Sequence, residues 1–231
     1  MRGEARPRAG VDNPRSPLYV RGVVTQATVD ALRRGDPVED EDFDALFPPD
    51  VRARGAVYWT PVSVATRAAA LLATTPRARV LDVGSGVGKV CIVGAATTGA
   101  EFVGVEQRGH LVAIARDAAV RAGVPEVRFV HGGIDAVDAS SFDAFYFFNP
   151  FEENTWDAED QLDQSVVLSR ARFDEDVGRA ERLLAAARIG TRVVTYHGFG
   201  GAMPAGYRHA HREPHPRSYL DLWIKTEPCA P

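Results

Sequence analysis

The run Leu81-Asp82-Val83-Gly84-Ser85-Gly86-Val87-Gly88 constrains this chain more than any other feature. A short apolar strand, Arg79 to Val83, leads into it, and a helix, Val87 to Ala96, follows. The glycines therefore stand at a strand-to-helix turn, where the backbone bends tightly and a ligand can approach it closely. A second strand, Glu101 to Val105, ends at Glu106, twenty-two residues after Gly84, a spacing that lets its carboxylate accept both hydroxyls of a ribose. Gly88-Lys89-Val90 lacks the Lys-Ser/Thr pair of a triphosphate loop. Asp82 would crowd a phosphate with negative charge, but it can order the loop and help hold an ammonium.

Strand and helix alternate on both sides of this unit. Upstream, Val64, Ala68, Leu71 and Leu72 keep helical spacing, with Thr60 expected as N-cap and Pro61 at the first helical position. Downstream, Leu111, Ile114, Ala115, Ala118 and Ala122 mark a helix, and Val127 to Val130 and Phe142 to Phe148 are strands, the second apolar enough to be central. Near-helical spacing between Asp160 and Ala187 predicts one long or two broken helices, and Thr191 to Tyr196 a further strand. Tyr207 to Arg212 and Ser218 to Lys225, joined by Glu213-Pro214-His215-Pro216, give a hairpin signal. The expected fold class is α/β: a doubly wound, mostly parallel, seven-stranded Rossmann-like sheet with a terminal antiparallel hairpin.

Residues 1–57 are expected to form an N-terminal arm or helical lid and residues 58–231 one α/β domain. The first 25 residues carry five arginines among prolines and glycines with no regular period, so they read as a partly disordered arm. The acidic stretch from Asp36 to Asp50 is broken by Phe43, Leu46 and Phe47, which suits a short helix with an apolar underside and a solvated face. The 231 residues hold 27 Lys and Arg against 31 Asp and Glu, a net charge of −4, so strong phosphate-driven binding to nucleic acid is not indicated. No apolar run approaches a membrane span. Cys91 and Cys229 cannot build a disulfide framework or a zinc cluster, and the polar, basic start predicts a cytoplasmic protein with reduced thiols. His209, His211 and His215 have no partner in the sequence to complete a metal set.

A dinucleotide such as NAD and S-adenosylmethionine both use a strand, loop, helix and ribose acid. The acid, one residue, then Gly-x-Gly-x-Gly formed by Asp82, Gly84, Gly86 and Gly88 resembles the first motif of the class I S-adenosylmethionine-dependent methyltransferases. Its wording is similar to that of the disruptor-of-telomeric-silencing histone lysine methyltransferases and related small lysine methyltransferases. The resemblance, which spans roughly Tyr58 to Tyr196, implies S-adenosylmethionine as cofactor, with Asp82, Gly84, Ser85, Gly86, Gly88 and Glu106 around it. The family usually has an acid or amide after the third strand for the adenine amino group. His131-Gly132-Gly133 puts glycine at that place, leaving Asp135 or backbone groups near Ile134 for the task.

Phe148-Asn149-Pro150-Phe151 resembles a shortened Asn-Pro-Pro-Tyr/Phe motif of amino methyltransferases. The resemblance gives Asn149 the acceptance of hydrogen bonds from the target amine beside the cofactor, and Phe151 the packing of the substrate; a plain turn out of a central strand is the alternative. Tyr58-Trp59-Thr60-Pro61 resembles an element in which Thr60 and the following helix terminus receive the methionine carboxylate. His197, past the fifth strand and before Gly198, Gly200 and Gly201, is a candidate general base or a satisfied loop histidine. The functional expectation is methyl transfer to an amine on a protein, small molecule or nucleic acid. An NAD-linked oxidoreductase and a non-catalytic S-adenosylmethionine-binding module are the alternatives.

Overall fold

The computed structural model describes residues 17–124, 127–215 and 217–229. Four helices come first: α1 (Pro17–Arg34), α2 (Asp40–Asp44), α3 (Pro49–Ala53) and α4 (Gly55–Tyr58). Next come α5 (Val62–Leu72), β1 (Arg79–Val83), α6 (Lys89–Thr98), β2 (Glu101–Glu106), α7 (Gly109–Ala122) and β3 (Val127–His131). The chain ends with β4 (Ala144–Phe148), α8 (Arg170–Ala186), β5 (Arg192–Tyr196), β6 (Tyr207–His215) and β7 (Ser218–Lys225).

The seven strands lie in the order β3-β2-β1-β4-β5-β7-β6. The first five are parallel, and the hairpin β6–β7 adds antiparallel pairing through β5. Alternation along each strand sorts side chains to the two faces. Val80, Tyr146, Val194 and Tyr196 join a core with α5, α6 and α7, whereas Leu81, Val83, Phe145, Phe147 and Val193 join Ala180 and Leu184 of α8 on the other face. Strand order reverses between β1 and its neighbours β2 and β4, where doubly wound sheets open a crevice for ligands.

Several expectations need correction. Helix α1 already starts at Pro17, so its fold begins inside the stretch read as an aperiodic arm; residues 1–16 lie outside the described residues. Helix α5 starts at Val62 with Pro61 as N-cap, one residue later than expected, because Pro61 is extended (φ −57°, ψ 146°). The Thr60 hydroxyl turns to the Tyr146 hydroxyl, 3.1 Å away, and the amide of Val62 donates to the Asp40 carboxylate at 2.8 Å. The helical spacing after Asp160 holds only in α8, which begins where Ser169 accepts from the Arg172 amide at 3.2 Å. Before it, the Glu153 carboxylate takes the amide of Leu162, and the Asp163 carboxylate takes the amide and hydroxyl of Ser165, so local side-chain acceptors replace a helical ladder. Strand β6 runs on through Pro214 to His215, opposite Ser218, so Glu213, Pro214 and His215 belong to the strand and not to the connection between the two strands.

The acidic stretch does have an apolar underside: Phe43, Leu46 and Phe47 are buried. Its charged face is not merely solvated. Asp40 and Asp44 each hold the buried ammonium of Lys89, the first residue of α6, at 2.6 Å. The arm thus packs on α5, α6 and α7, and of the described arm residues it is Ala56 and Val57, in α4, that border the crevice, next to Tyr58 at the start of the domain.

Candidate active site

A cavity of about 370 Å³ opens at the carboxyl ends of β1, β2 and β4, within the size range of small-molecule sites. Its floor is the turn after β1. Gly84 has φ +73°, and a Cβ there would meet Pro150 at 2.6 Å; Gly86 has φ +52°, and a Cβ would meet the Trp59 ring at 2.6 Å. Side chains at these positions are therefore excluded twice, by the left-handed backbone and by neighbours from two other segments. The same contacts seat the Asn-Pro-Phe turn and Trp59 directly on the glycine loop. Gly88, at φ +79°, precedes α6 as its N-cap.

Glu106 ends β2 inside the cavity, 6% exposed. One carboxylate oxygen accepts the Gly86 amide at 3.0 Å and the other the Arg108 amide at 2.8 Å. Burial raises its pKa, and these two amides oppose the rise. A carboxylate has about four lone-pair sites, so two acceptor positions remain for a pair of hydroxyls. Asp82 is buried one residue before the cavity floor, opposite Tyr146 in the sheet register, with the Cys91 thiol donating to it at 3.5 Å. Burial pushes its pKa up to about 7, against the smaller effect of the Cys91 bond. Asp82, Ser85, Lys89, Thr60 and Tyr146 line a small side chamber beside the floor, and the buried Ser85 hydroxyl has no hydrogen-bond partner among the described residues.

Two expected site residues are placed differently. Asp135 is exposed and does not line the cavity. The 3-10 turn Ile134–Ala136 points Ile134 inward and leaves Asp135 outside, so Gly132, Gly133 and Ile134 form that wall. Thr60 is committed to Tyr146, and the Val62 amide that an incoming carboxylate would need is held by Asp40.

Asn149, Phe151 and His197 do converge on the cavity. Asn149 (φ 44°) and His197 (φ 62°) are the non-glycine residues with positive φ among the described ones, and both stand at the rim, where such conformations need support from the surrounding structure. The Asn149 amide donates to the Gly198 carbonyl at 2.9 Å, which ties the two turns together. The Asn149 side-chain nitrogen donates to the Glu152 carboxylate, and among the described residues the side-chain oxygen has no partner. Phe151 is buried, and the His197 ring packs on Phe148 and Tyr196 at centroid distances of 5.5 and 4.6 Å. Desolvation lowers the His197 pKa, with Glu152 opposing and Arg217 adding to the effect.

Sequence reasoning missed the wall built by residues 152–165. The guanidinium of Arg108, 4% exposed, donates to Glu153 at 2.8 Å and to Asp163 at 3.2 Å, and the Tyr58 hydroxyl donates to the Asp160 carbonyl at 2.8 Å. Trp156, edge-on to Tyr58, and Leu162 thereby reach the cavity. The available signal was Arg108, a charge placed directly after the ribose acid.

Residues 80–166 match the family described as a methyltransferase domain. No curated protein matches the chain. Among solved structures, an RNA methyltransferase from Salinibacter ruber in complex with S-adenosyl-L-homocysteine is 23% identical, covers 74% of this chain and 95% of its own, and has a TM-score of 0.56. TrmN from Thermus thermophilus is 19% identical over 77% of this chain and 52% of its own, with a TM-score of 0.54. MtNAS in complex with MTA and tNA is 16% identical over 91% of this chain and 73% of its own, with a TM-score of 0.50. These likenesses establish a common fold, and the last extends over most of the chain.

Proposed function

The chain carries a class I S-adenosylmethionine-dependent methyltransferase domain, and from that premise we propose that it methylates an amine nitrogen presented at Asn149. When bound, S-adenosylmethionine supplies an electrophilic methyl group on a sulfonium. The residues present suit it: a glycine floor that no Cβ could share, spare acceptor sites on Glu106 for ribose hydroxyls, and a buried Asp82 with no cationic partner among the described residues, beside the small side chamber. The backbone around Ile134 takes the adenine-facing role in place of Asp135.

The observation that carries the amine reading is the state of Asn149. Its nitrogen is held by Glu152 and its backbone by Gly198, so among the described residues its oxygen is left as a free acceptor at the cavity rim, on a turn seated against Gly84. An N–H of the acceptor donating there turns the nitrogen lone pair toward the cofactor, so that catalysis rests on orientation. Phe148 and Phe151 exclude water from the other side. Cys91 and Cys229 are free thiols, and among the described residues no helix is long and apolar enough to cross a membrane.

The test is turnover on labelled cofactor with the acceptor found in cell extract. Asn149→Ala lowers kcat by about ten- to a thousandfold, roughly 1.4 to 4 kcal/mol, and leaves cofactor affinity close to wild type. Phe151→Ala acts in the same direction. If His197→Ala abolishes turnover while Asn149→Ala leaves it intact, the acceptor is one that needs a base, such as a hydroxyl, and the amine reading falls.

A further inference from the structure

The charged groups that line the cavity are, with two exceptions, already satisfied within the protein. Arg108 is paired with Glu153 and Asp163, Arg172 with Asp176, and Asp176 also with Arg179, while Glu106 holds two loop amides. The exceptions, Glu152 and Arg217, line the cavity together with His197 and Asn149. Glu152 has the neutral amide of Asn149 as its side-chain partner, and Arg217 has no carboxylate partner among the described residues. The His197 imidazole senses both, the carboxylate favouring its charged form and the guanidinium opposing it.

The position of Arg217 is fixed by the fold. It sits in the turn closed by His215 opposite Ser218, at the end of a hairpin whose β7 is laddered to β5. The same hairpin is held to α5 by Arg67, whose Nε donates to both carboxylate oxygens of Glu213, at 2.8 and 3.0 Å. An unpaired guanidinium at the cavity can hold a carboxylate or phosphate through two parallel N–H bonds, and with its backbone carried by the hairpin it is chiefly the side chain that binding has to order.

We infer that the methyl acceptor is a bifunctional amine: its nitrogen lies at Asn149 and Glu152, and an anionic group on the same molecule, carboxylate or phosphate, is held by Arg217. The inference rests on the amine reading above and narrows it. An acceptor with only a cationic end would share the cavity with the like charge of Arg217, whereas a molecule carrying both charges complements both Glu152 and Arg217.

The experiment uses the full chain saturated with S-adenosylhomocysteine. Calorimetry compares ω-aminoalkanoates and ω-aminoalkyl phosphates of increasing chain length with alkylamines of the same lengths. The expected result is that one chain length of the anionic series binds at least about tenfold more tightly than its plain amine. Which of the two anionic series shows this distinguishes carboxylate from phosphate. Arg217→Ala abolishes the preference, and Arg217→Lys retains part of it. Equal affinity for the anionic and plain series, no binding by any of them, or a preference that survives Arg217→Ala overturns the inference alone. Failure of S-adenosylhomocysteine itself to bind removes the methyl-transfer reading and the inference with it.

Discussion

Each glycine of the loop answers to a particular neighbour, so substitutions in it report on the assembly of the site as well as on local conformation. Gly86→Val drives a branched side chain into the Trp59 ring, 2.6 Å from where its Cβ would lie, at a left-handed φ that valine rarely adopts. Glu106→Ala removes the anchor of the Gly86 amide and the acceptor for ribose hydroxyls together. The loss of hydrogen bonds to a charged group corresponds to about 1.5 to 3 kcal/mol, so the cofactor Kd rises roughly ten- to a hundredfold. Calorimetry with S-adenosylhomocysteine checks both variants, and wild-type affinity in both would mean that the cofactor lies elsewhere. This part of the site was legible because its determinants sit close together in the chain and glycine has few other reasons to recur at that spacing. The Arg108 clamp was not legible: its partners Glu153 and Asp163 lie 45 and 55 residues away, and in sequence they look like any solvated acids.

At the scale of elements, the short helix α2 acts as an electrostatic latch. Asp40 supplies the N-terminal cap that α5 does not provide for itself, and with Asp44 it neutralises Lys89 at the head of α6. Helix termini leave amides unsatisfied, and a buried ammonium without partners is costly, so the latch joins three helices through two carboxylates. Asp40→Ala with Asp44→Ala should lower unfolding stability by about 3 to 5 kcal/mol, the cost of an uncompensated buried charge. Adding Lys89→Met to that pair should restore a large part of it, and urea denaturation measures both steps. If the triple variant is no more stable than the double, the latch does not act through Lys89. Helix periodicity revealed α5 and α7 well, because each buries one apolar stripe, whereas α6 is buried all round from Lys89 to Ala95 and shows in the sequence only as an apolar run after the glycines. It overextended α8 toward Asp160 because Leu162 and Val166 keep the spacing of a helix while neighbouring carboxylates capture the backbone amides.

For the molecule as a whole, topology follows from alternation: five apolar strands with crossover helices give a parallel sheet, and its order places β1 and β4 side by side where their loops open the cavity. What alternation could not convey was the lopsided cover, with α5, α6, α7 and the arm on one face against α8 on the other. That cover buries Asp82 at the heart of the sheet and gives the protein a characteristic pH response. The unfolded Asp82 carboxyl titrates near its ordinary value of 3.8, whereas in the fold it keeps its proton up to about 7. Between those values the folded state binds the extra proton, so the contribution of Asp82 to stability declines as pH rises through the window and levels off above about 7. A ligand ammonium beside Asp82 reverses the preference, since it is held best by the ionised carboxylate. The affinity for S-adenosylhomocysteine should therefore climb with pH, by up to about tenfold per unit, until Asp82 is ionised. It should fall again above about 8, as the ligand's α-amino group loses its own proton. Asp82→Asn should flatten the rising limb and keep the falling one. Calorimetric titrations across this range decide the matter, and a rising limb that survives Asp82→Asn would mean that another group, and not this buried acid, receives the ammonium.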